Sequence, residues 1–222
     1  MSDFATPIVT VDAVIFTLEY DRLMVMLGRR ERDPFAGALA LPGGYVHVDK
    51  DVSVAVATQR ILKEKCGVEG VYLEQLETFS GPRRDPRGWS VSVAHLALVP
   101  RDGLPVASED LRFHDVEDLP QLAFDHNEII AAALRRLRGK GAYSTLPAAF
   151  LGETFTLTEM QRAYEIVLGE RLNLSAFRRK VMDLGLVEET GGKDTRTARP
   201  AALYRLAQSP RTFERSLGTS SS

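Results

Sequence analysis

The hydrophobic pattern of the chain changes character near residue 140. Before it, residues 9–18, Val-Thr-Val-Asp-Ala-Val-Ile-Phe-Thr-Leu, combine alternation with β-branched side chains and predict a strand. Residues 23–27, Leu-Met-Val-Met-Leu, predict a second, shorter one. A Pro42-Gly43-Gly44 turn comes next, then a helical pattern from about Ser53 to Cys66, closed by Gly67 where a helix stop prefers glycine. Residues 71–79 and 91–99 read as further strands. A helix at about 126–137 sets Ile129, Ile130, Ala133, Leu134 and Leu137 at helical spacing. Strands and helices in this irregular order predict an α+β fold with a mixed sheet between helices.

Gly139-Lys140-Gly141 then breaks the pattern, and the next two periodic segments are purely helical: residues 156–168 and 175–184, joined by a few residues. The change places a domain boundary near 139–150, with a first domain over 1–142 and a second over 150–210. The remaining residues 211–222 end in Gly-Thr-Ser-Ser-Ser and read as a disordered tail.

Composition narrows the class. With 222 residues, 44% hydrophobic and 26% charged, the chain can build one or two real cores, which excludes a disordered or coiled-coil protein. No run approaches the roughly 18 apolar residues of a membrane span, and the N-terminal stretch lacks the basic flank and cleavage site of a signal peptide. The single cysteine, Cys66, forms no internal disulfide. Together these predict a cytoplasmic protein with no membrane partner. The net charge of -2 excludes an overall basic coat, but residues 173–206 carry 7 basic against 4 acidic side chains.

The turn at Gly43-Gly44 gains meaning from the helix after it. Arg60-Ile61-Leu62-Lys63-Glu64-Lys65-Cys66-Gly67-Val68 matches the end of the Nudix box, G-x5-E-x7-R-E-U-x-E-E-x-G-U, at Arg60, Leu62, Glu64, Gly67 and Val68, and Gly44 supplies its start. Residues 7–138 thus resemble the Nudix fold. The departures matter more. The loop between Gly44 and Arg60 is two residues longer than in the box. Positions 61, 64 and 65 share one helix face, and the resemblance implies a glutamate at each in active members. Here they are Ile61, Glu64 and Lys65, so the face falls from three negative charges to none. One carboxylate is too few for magnesium, which needs several oxygen ligands. Either Ile61 extends an apolar face and Lys65 is solvated, or Lys65 is a fixed cation beside the ligand phosphates. His47, Asp49 and Asp51 in the lengthened loop are the candidates for rescuing a metal. Arg29 lies in the strand and loop leading into the box. The loop Pro82-Arg83-Arg84-Asp85-Pro86-Arg87-Gly88-Trp89 offers Arg84 and Arg87 for bidentate phosphate contacts, and it resembles a stretch of ADP-ribose-handling Nudix proteins. His126 opens the next helix.

In the second domain, Thr156 or Thr158 caps a helix that Gly169 ends, and a second helix begins at Asn173-Leu-Ser175. Phe177, Val181 and Leu184 face inward at helical spacing, leaving Arg178, Arg179 and Lys180 outward. Two strand-like runs at 186–190 and 202–206 flank a glycine-rich, basic tip carrying Lys193, Arg196 and Arg199. A helical hairpin with such a wing after it is a major-groove reader's layout. Asn173, Ser175 and Arg178 are the candidates for base edges; the wing cations are candidates for phosphates.

Over residues 7–207 the chain resembles the Nudix-related transcriptional regulators (NrtR-like), on the strength of Phe-Thr-Leu-Thr-Glu-Met-Gln-Arg-Ala-Tyr-Glu (155–165), Phe-Arg-Arg-Lys (177–180) and Ala-Arg-Pro-Ala-Ala-Leu-Tyr-Arg-Leu (198–206). The resemblance implies a repressor of NAD-metabolism genes, a homodimer on a double-stranded DNA operator, sensing ADP-ribose or a related nucleotide. On that basis Arg29, Gly43, Gly44, Arg60, Lys65, Arg84 and Arg87 are the expected effector contacts. No catalytic residue and no cofactor are expected, Glu64 being the one residual carboxylate, with magnesium needed only for residual hydrolysis. The alternative is a working hydrolase of the ADP-ribose pyrophosphatase type.

Overall fold

The computed structural model describes residues 6–104, 111–196 and 200–208. The order is β1 (Ile8–Glu19), β2 (Arg22–Arg29), β3 (Leu39–Ala40), β4 (Gly43–Tyr45), α1 (Val54–Cys66), β5 (Tyr72–Gly81), β6 (Ser90–Leu98), β7 (Leu111–Asp115), α2 (His126–Gly141), α3 (Leu157–Leu168), α4 (Leu174–Asp183), β8 (Val187–Asp194) and β9 (Ala201–Leu206). The fold is α+β. The main sheet runs β3-β2-β1-β6-β5, with β4 on β1 and β7 on β2. It is mixed: β1 and β6 are parallel from Ile8↔Ser90 to Phe16↔Leu98, whereas β4 on β1, β3 and β7 on β2, and β5 on β6 are antiparallel.

β1 is the central strand, and Val11–Thr17 are all buried. Because successive side chains point to opposite faces, β1 serves two layers. Val11 joins Ala57 and Ile61 of α1, while Ala13 and Ile15 join Leu62 and Cys66. Thr10 and Asp12, on the other face, border a cavity. Ser53 caps α1 by accepting from the Val56 amide at 3.2 Å, and Gly67 ends it at φ 62°.

The described chain forms two compact units. The second comprises Leu18–Leu23, Pro100–Asp102 and the described residues from Arg135 onward. α2 therefore belongs to both, and it runs through Gly139 and Lys140 to end at Gly141, the last residue of the expected break. Burial of Leu137 outweighs a glycine cost of about 1 kcal/mol. Gly141 has a positive use: a Cβ there would lie 3.0 Å from Val167 of α3.

In the second unit Thr156, not Thr158, caps α3 through a full capping box with Glu159. Phe155, Met160, Tyr164, Leu172, Phe177, Val181 and Val187 form its core, with Tyr164 edge-on to Phe177 at 5.3 Å. Phe155 exchanges two backbone hydrogen bonds with Tyr204, adding a third edge to the β8–β9 hairpin. Gly191 and Gly192 lie inside β8, not at the hairpin tip. They form an irregularity between Glu189 and Lys193, where Gly191 takes φ 76°. Residues 211–222, expected as a tail, lie outside the described residues.

Candidate functional site

The turn into α1 is built around a close approach. A Cβ on Gly43 would lie 2.1 Å from the Asp12 carboxylate, and one on Gly44 would lie 2.7 Å from Ile61. Ile61 is 2% exposed and packs in the apolar layer with Val11 and Ala57. Lys65 lies four residues on, one helical turn away, and donates from Nζ to the Gly43 carbonyl at 2.6 Å. Glu64 is exposed and touched by Arg60 at 3.5 Å. The guanidinium of Arg60 forks onto Asp51 at 2.9 and 2.8 Å and reaches the Tyr45 carbonyl at 3.1 Å. That fork, with the His47 amide, holds the Asp51 carboxyl well below the usual carboxylate range. Arg60 and Asp51 thus close the lengthened loop, and Asp51 is committed there rather than offered to a metal.

A magnesium ion does not fit these residues. The face that would hold it presents a buried isoleucine, one exposed carboxylate and an ammonium seated on a backbone carbonyl. Among the described residues no group of three or more His, Cys, Asp or Glu side chains is placed to bind a metal.

Beside this turn lies a cavity of about 750 Å³. Thr10 and Asp12 of β1, the β2–β3 loop, Lys65, the β5–β6 loop and the start of α2 border it. Arg84 donates to both oxygens of Asp125 at 2.9 Å and to Ser90 Oγ at 3.3 Å, and lies 3.7 Å from Asp12. His126 Nδ1 accepts the Leu41 amide at 2.9 Å, which assigns the proton of the neutral ring to Nε2, 3.6 Å from Asp12. Burial holds His126 below its ordinary pKa. Arg87 forks onto Asp85 at 3.0 and 2.6 Å and donates to the Tyr45 hydroxyl. Arg29 donates to the Gly37 carbonyl at 2.6 Å. Arg30 and Arg87 both approach the Phe124 ring, at 4.7 and 5.9 Å. Phe124 and Phe35, in edge contact at 4.9 Å, take left-handed backbone angles of φ 55° and 64°. Such strain in non-glycine residues concentrates at ligand sites.

The second unit presents a cationic helix face. Asn173 caps α4, its side-chain oxygen accepting from Ala176 at 3.0 Å. Phe177 and Val181 point into the core, while Ser175, Arg178 and Arg179 are exposed and Lys180 is half-buried. Arg178 donates to Thr158 Oγ1 at 3.2 Å. Lys193 is exposed on β8. Arg196 is held, donating to Asp194 at 2.9 and 3.0 Å and to Glu159 at 2.6 Å. Arg199 lies outside the described residues.

The NUDIX domain family matches residues 6–137, and the NrtR DNA-binding winged helix domain family matches residues 147–206. The chain is 38% identical, over 93% of its length and 84% of the relative's, to the ADPR responsive transcriptional repressor NtrR of Acinetobacter baylyi. The chain belongs to the NrtR family of Nudix proteins. Shewanella oneidensis NrtR, crystallised with a 27mer DNA, superposes with a TM-score of 0.87 at 38% identity, covering 95% of this chain and 99% of that one. The NUDIX domain of the same NrtR, complexed with ADP ribose, gives a TM-score of 0.55 at 39% identity, over 60% of this chain and 90% of that one. The ADP-ribose pyrophosphatase of Methanocaldococcus jannaschii is 36% identical over 60% of this chain and 76% of its own.

Within this NrtR-type chain, Arg29, Gly43, Gly44, Lys65, Arg84 and Arg87 border one cavity. Arg60 and Glu64 do not border it. Arg84, far from presenting a spare cation, is 8% exposed and spent on carboxylates. The cavity also brings in Asp12, Arg30, Phe124 and His126. His126 is marked in the sequence as the residue that opens α2, and Asp12 leaves a signal as an acidic residue in a strand otherwise buried on both sides.

Proposed function

We propose that the chain is an ADP-ribose-responsive transcriptional repressor. Residues 1–142 bind ADP-ribose or a related nucleoside diphosphate, and residues 150–210 bind operator DNA. The observation that carries the effector half is the seat of Lys65: its ammonium occupies the Gly43 carbonyl beside the cavity. It places a permanent cation where a hydrolase face needs carboxylates around magnesium. A diphosphate is held there without a metal or other cofactor, and binding replaces turnover.

In the DNA half, α4 enters the major groove with Asn173, Ser175 and Arg178 toward base edges, while Arg179, Lys180, Lys193, Arg196 and Arg199 neutralise phosphates. A cytoplasmic homodimer places two such helices on half-sites about 34 Å apart. The genes controlled are those of NAD metabolism, as the family resemblance implies. By linkage, whatever factor ADP-ribose imposes on DNA affinity, DNA imposes on ADP-ribose affinity.

Fluorescence anisotropy of a labelled duplex from upstream of the protein's own operon, with and without ADP-ribose at constant salt, tests this. The expected result is specific binding that shifts with ADP-ribose, and Arg178→Ala that weakens DNA binding with effector affinity intact. No preference over random duplex of equal length refutes it. The rival reading is a working ADP-ribose pyrophosphatase, favoured by the resemblance to the archaeal enzyme. Magnesium-dependent release of AMP from ADP-ribose, abolished in Glu64→Gln, establishes that instead.

A further inference from the structure

The cations around the cavity differ in what balances them. Arg84 is paired with Asp125 and Arg87 with Asp85. Arg29, Arg32 and Lys65 are exposed to water. Arg30 is half-buried, yet among the described residues no carboxylate lies within ion-pair distance of it. Its guanidinium is fixed all the same. Nε donates to the Pro34 carbonyl at 2.8 Å, Nη2 donates to the Arg32 carbonyl at 3.2 Å, and the group lies over Phe124. The loop supplying those carbonyls is closed by Arg30's own backbone, which bonds Ala38 and Gly37 at 2.9 and 2.8 Å.

Nη1 donates to no protein group among the described residues. A second guanidinium, that of Arg87, converges on the same phenyl ring. A half-buried cation whose hydrogen-bond partners are all neutral, with a like charge nearby, costs stability that the more distant carboxylates of Asp85 and Asp12 offset only in part. Burial, then the charge of Arg87, pushes Arg30 below the ordinary arginine pKa against the opposing pull of Asp85 and Asp12. An anion bridging the two guanidinium groups removes both costs. A diphosphate suits them, because the Nη1 edge of Arg30 is open and Arg87 can exchange its bond to the Tyr45 hydroxyl for a phosphate oxygen.

We propose that Arg30 is the principal anchor for the diphosphate of the effector, with Arg87 as its second arm. The assignment rests on the proposed function, in which the cavity takes a nucleoside diphosphate sugar. It adds the residue that the ligand leaves unbalanced when it departs.

The test is calorimetric titration of the full chain, wild type, Arg30→Gln and Arg30→Lys, with ADP-ribose in EDTA and with inorganic pyrophosphate as a second probe. Arg30→Gln is expected to lower ADP-ribose affinity by about tenfold or more. Its thermal midpoint without ligand is expected to be no lower than wild type, because the variant sheds an unbalanced cation; a loop-bracing role would lower it. Arg30→Lys keeps the charge, loses the fork and retains part of the affinity. Pyrophosphate competes with ADP-ribose on the wild type and more weakly on Arg30→Gln. An Arg30→Gln affinity within about twofold of wild type overturns the proposal. If that variant does not fold, an Arg30→Lys affinity equal to wild type does the same. A wild type that binds pyrophosphate but not ADP-ribose, with that binding lost in Arg30→Gln, keeps the anchor and overturns the effector.

Discussion

Arg84→Met separates a structural role from a ligand-binding one. The Arg84 side chain is 8% exposed, against 14% for Asp125 and 9% for Asp12. Its fork sits at 2.9 Å on both Asp125 oxygens, with Asp12 at 3.7 Å. Methionine fills much of the same volume but leaves two nearly buried carboxylates and a neutral His126 with no cation among them. Breaking a buried pair from one side costs about 3–5 kcal/mol, because the orphaned charge cannot be rehydrated. For a chain of this size each kcal/mol lowers the midpoint by about 2–4 °C, so the expected loss is about 6–20 °C. Thermal melts of Arg84→Met, alone and with Asp125→Asn, are the assay. The second substitution removes one orphan and is expected to restore part of the loss. A midpoint within about 1 °C of wild type, with ADP-ribose binding lost, refutes the structural assignment and returns Arg84 to the ligand.

The same contacts set four further outcomes. Ile61→Glu with Lys65→Glu is expected to lose about 2–3 kcal/mol of stability in EDTA, from lost burial of the isoleucine; magnesium then raises the midpoint by binding the restored face, and no magnesium-dependent rise sinks the account of that face. His126, His95 and His114 are all held below the ordinary 6.5, in each case first by burial. The unfolded chain therefore binds more protons than the native one below about pH 6.5, so stability is fully present above it and falls as the pH drops toward the native values; a melting midpoint flat from pH 7.5 to 5.5 contradicts this. In DNA titrations over a salt series, Lys193→Ala is expected to reduce the log–log slope by about 1, while Arg196→Ala reduces it by less, because Arg196 must trade Asp194 and Glu159 for a phosphate. Thr156→Ala removes the α3 cap and is expected to cost about 1 kcal/mol in denaturant unfolding; an unchanged midpoint denies the capping box its role.

Much of the fold is legible in the sequence because its signals are local. Alternation marks β1, glycine stops mark α1 and α3, and the basic face of α4 is set by core positions four apart. β3 and β4, two and three residues long, are too short to carry a period, and they exist only because β2 and β1 offer edges to pair with. Gly139 is carried inside α2 because propensity is a weak prior against tertiary packing, whereas Gly141 ends the helix within the expected break. In the site, Gly43, Gly44 and Lys65 are readable because motif and helix spacing bring them together. Arg84 reads as a free ligand contact because its partner Asp125 lies 41 residues away in sequence, and no spacing rule reports such a pair. The sequence singles out Arg29 rather than its neighbour Arg30, because the loop carbonyls and the Phe124 ring that fix Arg30 are brought to it only by the fold.

The second unit is discontinuous along the chain, taking Leu18–Leu23 and Pro100–Asp102 from within the region that otherwise builds the first. The order of synthesis therefore differs from the order of completion. The first unit needs nothing beyond Leu134 and can fold while the rest is still being translated. The second unit holds residues translated ahead of most of the first, yet it closes only when the wing has emerged. A nascent chain of this protein acquires the cavity beside Gly43 and Gly44 before the helical hairpin and wing are complete.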